Sequence, residues 1–215
     1  MIEENTENVI IDEKYPGLID KGLCFELKGN LQVKGSLTVT LKKWLNVLGF
    51  IEAGAGIKAG EGIKAGEGIE AGEGIEAGEG IKAGLGIEAG EGIKAGLGIE
   101  AGEGIEAGLG IEAGEGIEAG LGIKAGLGIK AGLGIKAGLG IKAGWGIEAR
   151  EGIEAREGIE AGLTITCKRL TAKYSIFAGI CTWREVKPED EIIHCEKLIS
   201  GKIAHGTLQL VEKLK

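Results

Sequence analysis

Every sixth residue from Ile51 to Ile159 is isoleucine, and the second residue after each of them is alanine, with Lys or Glu between. The phrase that repeats is Ile-(Lys/Glu)-Ala-Gly-(Glu/Leu)-Gly, broken only by small departures such as Ala55, Trp145, Arg150 and Arg156. Two glycines in every six residues would cost a helix roughly 1 kcal/mol each. A short strand accommodates the pattern: in Ile51-Glu52-Ala53 the side chains point in, out and in. Gly54 and Gly56 are then expected to turn the chain through positive φ before Ile57 begins the next strand. One such unit cannot bury its own isoleucine, so the unit predicts a stack in which Ile and Ala form dry rows about 4.8 Å apart. The fold class is all-β, a parallel β-helix or β-solenoid of six-residue repeats.

Two coil sizes fit. A triangular coil of about 18 residues places Lys58, Glu76, Lys94, Glu112, Lys130 and Glu148 in one outward column of alternating sign, which cross-strand pairing favours. A two-sided coil of about 12 residues stacks Leu85, Leu97, Leu109, Leu121, Leu133 and Trp145 in one corner column. It also stacks Glu67, Glu79, Glu91, Glu103 and Glu115 in another, where like charges repel. The triangular coil is preferred and the two-sided coil is the alternative.

Read from the alanine, Ala71-Gly72-Glu73-Gly74-Ile75-Glu76 resembles the hexapeptide repeat of left-handed parallel β-helices. The resemblance covers roughly residues 51–164, with the large and small inward positions exchanged. Many proteins of that type are acyltransferases that use acyl-CoA and a histidine base. This activity would need a histidine within the solenoid, whereas His194 and His205 both follow it.

The ends differ from the middle. Residues 1–50 are expected to form an arm, irregular over 1–24 with a turn at Tyr15-Pro16-Gly17, and then capping coils from Phe25 in which the spacing is degenerate. Residues 51–164 form the solenoid. Residues 165–215 hold Tyr174, Phe177, Trp183 and both histidines and are either a C-terminal cap or a small β domain. A solenoid exposes a core cross-section at each end, so caps are required.

Composition then narrows the function. The chain has 43 Gly but only two Pro, and its period of six excludes collagen, while its regular isoleucines exclude disorder. Met1-Ile2-Glu3-Glu4-Asn5 lacks a basic and apolar leader, and no apolar run approaches a membrane span, so a cytoplasmic location is expected. Cys24, Cys167, Cys181 and Cys195 have no CxxC pairing and read as reduced thiols. A site using Cys181, His194 and Cys195 does not have the spacing of a zinc motif. The glycines form no phosphate loop, and the repeats lack the Asp and Asn of calcium-binding turns and the threonine rows of an ice-binding face. No cofactor, metal or catalytic residue is expected, and neither nucleic-acid binding, membrane contact nor a small-molecule substrate.

Net charge is −8 and unevenly placed: residues 51–122 hold fifteen Glu against four Lys, whereas 123–146 hold Lys124, Lys130, Lys136 and Lys142 and no acid. Beside these lysines, Leu127, Leu133, Leu139 and Trp145 stand at glycine-flanked corners, where burial within the coil is difficult. They are candidates for an exposed apolar patch that serves self-association or a protein partner, unless residues 165–215 fold back over it. The reading favoured is a non-enzymatic scaffold or protein-binding module that self-associates. The alternative is an acidic nucleic-acid mimic, with Glu67, Glu79, Glu91, Glu103 and Glu115 as its acidic face, inhibiting a nucleic-acid-processing enzyme as phage-encoded anti-defence proteins do. Its bland counterpart is that glutamate only keeps a Gly/Ile-rich rod soluble. A degenerate acyltransferase is the third reading.

Overall fold

The computed structural model describes residues 2–4, 8–182 and 184–214; Trp183 lies outside them. The chain is a parallel β-solenoid in which each residue of the regular region pairs in register with the residue 18 positions on. Ile75 lies against Ile57 and Ile93, Ile81 against Ile63 and Ile99, and Ile87 against Ile69 and Ile105. Three hexads therefore make one coil. Face I carries Ile57 and its successors, face II Ile63 and its successors, and face III Ile69 and its successors. Corners I/II, II/III and III/I lie between them.

Each three-residue strand buries its isoleucine and alanine and exposes the charged residue between. The isoleucines of the repeats are at most 2% exposed, and no polar or charged residue is buried among the described residues. The ladder continues round the corners: Gly78 N–H donates to the Ala59 carbonyl at 3.1 Å, and Ile75 N–H to the Gly92 carbonyl at 2.9 Å.

The expected positive-φ turns at Gly54 and Gly56 are absent. Among the described residues only Gly17, Gly22, Gly29, Gly179, Gly201 and Gly206 take positive φ, all outside the repeats. At the first glycine of most hexads the coils touch, although a Cβ on Gly60 would have 3.9 Å of clearance and Arg150 and Arg156 fill this position late in the repeats. A Cβ on Gly54 would lie 2.0 Å from the Lys34 carbonyl oxygen, and one on Gly96 would lie 2.0 Å from that of Gly78.

The N-terminal residues are more regular than the arm expected of 1–24. Ile2–Glu4 pairs with Leu31–Val33 on face III, and Val9–Ile11 with Leu37–Val39 on face I. These strands belong to the rod although they lack glycine corners. The predicted turn is present, with Gly17 at φ 83° and Leu18 N–H donating to the Tyr15 carbonyl at 3.4 Å.

At the other end, Ile165–Ala178 is one long strand that wraps all three faces. Ile165 pairs with Ile147, Leu170 with Ile153 and Ile176 with Ile159. After a 3-10 turn at Pro188–Glu191, Ile192–His205 repeats the wrap, and Thr207–Leu210 covers its beginning on face I. Ile165–Ala178, Ile192–His205 and Thr207–Leu210 thus extend the stack as a cap, with bulges taking the place of glycine corners.

Candidate interaction surfaces

Because the core is nearly invariant, only the outward residues distinguish one face or corner from another. Face I bears the alternating column Lys58, Glu76, Lys94, Glu112, Lys130 and Glu148, neighbours in register. Lys58 and Glu76 approach to 3.8 Å, and Lys130 and Glu148 to 3.5 Å. The four lysines of the basic band are divided among the faces and each meets a carboxylate: Lys124 with Glu106, Lys130 with Glu148, Lys136 with Glu118 and Lys142 with Glu160. Such exposed pairs are individually weak, but together they leave no concentrated positive patch. The hydrogen bond that Lys124 donates to Glu106, joined by the charge of that carboxylate, raises the Lys124 pKa.

Face III differs. Glu52, Glu70, Glu88 and Glu106 occupy four successive coils in register. Glu67 and Glu103 flank this column on corner II/III, and Glu73 and Glu91 flank it on corner III/I. Of the sequence-predicted acidic residues, Glu79 and Glu115 lie instead on corner I/II. The set is therefore spread over three corners, and the face III column is the acidic feature that corner residues alone did not reveal. Stepping by 18 from Glu52 finds it.

The apolar candidates divide in the same way. Leu127 and Trp145 share corner III/I, whereas Leu133 lies on corner I/II and Leu139 on corner II/III. On corner III/I the two are joined by Leu109 and Leu163, forming a ladder over four successive coils. Leu127 N–H donates to the Leu109 carbonyl at 3.0 Å, Trp145 N–H to that of Leu127 at 3.1 Å, and Leu163 N–H to that of Trp145 at 3.1 Å. Leu109 is 46% and Trp145 42% exposed, and Leu127 and Leu163 are half-buried. Gly179 N–H donates to the Leu163 carbonyl at 3.0 Å, so the chain leaving Ala178 continues this corner. Corner I/II runs Glu61, Glu79, Leu97, Glu115, Leu133, Glu151, with no two leucines adjacent.

The residues considered for chemistry do not converge. His194 lies beside Thr166 on face I and His205 beside Phe177 on face III. Cys195 is inside the core while its neighbour His194 points outward, and among the described residues no three His, Cys, Asp or Glu are placed to hold a metal. No helix among the described residues is long and apolar enough to cross a membrane. Cys167 and Cys195 are neighbours in register, buried and unpaired. Burial, aided by Cys195, pushes the Cys167 thiol up to about 12, and burial raises Cys195 as well. Both thiols therefore stay protonated at neutral pH. A thiol-reactive disulfide reagent at pH 8 should label half-exposed Cys24 and Cys181 quickly, and Cys167 and Cys195 only at the rate of cap unfolding. Site-resolved mass spectrometry with equal labelling of all four would contradict this packing.

Comparison with protein families, with characterised proteins and with solved structures finds no match to this chain.

Proposed function

We propose that the protein is a non-enzymatic scaffold that self-associates through corner III/I. The observation that carries this reading is the ladder Leu109, Leu127, Trp145 and Leu163, where apolar side chains follow one another on four coils without an intervening charge. An apolar ridge that keeps exposed surface at Leu109 and Trp145 on an otherwise charged rod is a feature of contact surfaces. The central tryptophan is of the residue type that anchors interfaces. Four unpaired cysteines fit a reducing compartment, and we place the protein in the cytoplasm.

Light scattering coupled to size-exclusion chromatography tests this. A dimer or trimer stable from low to high salt is expected, because apolar contact is insensitive to screening. Leu127→Asp combined with Trp145→Asp should give monomers. Leu133→Asp combined with Leu139→Asp, on the other two corners, should leave the assembly intact. A wild-type monomer at every salt concentration would remove the reading.

The face III column favours a second reading, an acidic surface for a basic protein such as a nucleic-acid-processing enzyme. Stacked like charges destabilise strand pairs, and the alternation on face I shows that the rod does not require them. Under this reading, a DNA-binding enzyme captured by the rod is released by duplex DNA or salt. Glu70→Lys combined with Glu106→Lys would abolish capture.

A further inference from the structure

The second glycine of each hexad floors a shallow trough beside each corner. The trough at corner I/II begins with Trp44 and continues through Gly62, Gly80, Gly98, Gly116, Gly134 and Gly152, encloses about 690 Å³, and reaches the cap at Arg169 and Ile199. In its middle these glycines are not demanded by the rod. None has positive φ, and a Cβ on Gly98 or Gly116 would meet only the next glycine's carbonyl oxygen, at 3.4 and 3.5 Å. Ser36 and Thr164 occupy the same position at the two ends of the face I trough, so the corner itself accepts a side chain.

Trp44 shows what bare glycine permits. Its indole lies over Gly62 and Gly80: a Cβ on Gly62 would be 2.2 Å from ring atom Cε2, and one on Gly80 would be 2.8 Å from Cη2. The ring N–H donates to the Glu79 carboxylate. The seat is therefore two glycines on successive coils, with a carboxylate acceptor at the corner residue just before the second. From Glu79 on, Glu and Leu alternate down this corner, so the arrangement recurs every two coils. Gly98, Gly116 and Glu115 repeat it first, then Gly134, Gly152 and Glu151. The last copy is engaged by the chain itself: Lys168 donates to Glu151 at 2.8 Å, and Arg169 lies against the Gly152 position. The middle copy is open, and Glu115 stands between the exposed Leu97 and Leu133.

We propose that this middle seat binds the tryptophan side chain of a partner protein, with the indole flat on Gly98 and Gly116 and its N–H donated to Glu115. Glu115 selects an aromatic ring with a donor on its edge, which phenylalanine lacks. The trough covers only one face of a ring, so the rest of the contact must come from neighbouring residues of a polypeptide lying on Leu97 and Leu133. This site is separate from corner III/I and does not depend on self-association there.

The test is an NMR titration of the isotopically labelled full chain with N-acetyltryptophanamide, N-acetylphenylalaninamide and the blocked tripeptide Leu-Trp-Leu. Tryptophanamide should shift the amide signals of Gly98, Glu115 and Gly116, at least about threefold more strongly than phenylalaninamide, and the tripeptide should bind at least about threefold more tightly again. Gly98→Ala should abolish the shifts, because its Cβ enters the ring's place. Glu115→Leu, a surface change that leaves the fold intact, should erase the preference for tryptophan over phenylalanine. Trp44→Ala should open a second site at Gly62 and Gly80. Absence of shifts at Gly98 and Gly116, equal response to both amides, or shifts spread evenly over the three troughs would overturn the seat. A tripeptide no tighter than the amide would overturn the protein partner.

Discussion

Gly96→Ala should destabilise the rod by about 3 kcal/mol or more, whereas Gly98→Ala, two residues on, should stay within about 0.5 kcal/mol of the parent. Both glycines have ordinary φ, so neither effect comes from the left-handed region. A Cβ on Gly96 falls 2.0 Å from the Gly78 carbonyl oxygen, part of the coil beneath, so the backbone of one corner or the other must shift. That movement strains the hydrogen bond from Gly96 N–H to the Ala77 carbonyl, now 3.0 Å. At Gly98 the nearest atom is 3.4 Å away and needs to yield little. The lost chain entropy of glycine then acts in alanine's favour. Thermal and urea unfolding followed by circular dichroism measure both. Equal losses at the two sites would show that the corner contact is not what selects glycine.

Ile111→Asp should be worse still, above about 4 kcal/mol at that coil, against about 2–5 kcal/mol for Ile111→Ala. Ile111 is 1% exposed and lies between Ile93 and Ile129 in a column with no polar partner for a carboxylate. Because each strand pairs only with the coils directly above and below, the damage does not spread evenly. The rod is expected to separate into two melting units, with limited proteolysis cutting first near the substituted coil. A single transition shifted as a whole would mean that coils cooperate over longer distances than their contacts allow.

The contrast between these two substitutions also explains what the sequence could disclose. The isoleucine period reports that there is a stack but is silent on coil size, because Ile and Ala fill every face alike. Only outward variation carries that information, and the alternation from Lys58 to Glu148 points to three faces. Reading the corners in steps of one hexad groups Leu127 with Leu133 and Leu139, which the 18-residue register sends to different corners. The partners Leu109 and Leu163 are found only by stepping a full coil from Trp145. A glycine in a sequence says that a Cβ is missing but not whether backbone torsion or a neighbouring carbonyl forbids it, which is why Gly54 and Gly56 read as positive-φ turns. At the ends, Val9–Ile11 and Ile165–Ala178 turn corners without glycine and so lose the visible period while keeping the coil. Trp44 reads as simple bulk, since the residues it covers lie one and two coils away.

The uniform core has a consequence for how the chain finds its register. Sliding the upper part of the rod by one hexad would bury the same isoleucines and alanines and remake the same corner hydrogen bonds. Misthreaded states therefore lie at every multiple of the hexad, close in energy to the native one. They differ only in ion pairs on the faces, in the reach of Trp44 to Glu79, and in the fit of the two ends. Growth from an end that already has a unique sequence avoids this degeneracy, whereas nucleation in the middle meets it in full. The N-terminal coils, which emerge first from the ribosome and carry Trp44, are suited to act as the template that keeps count.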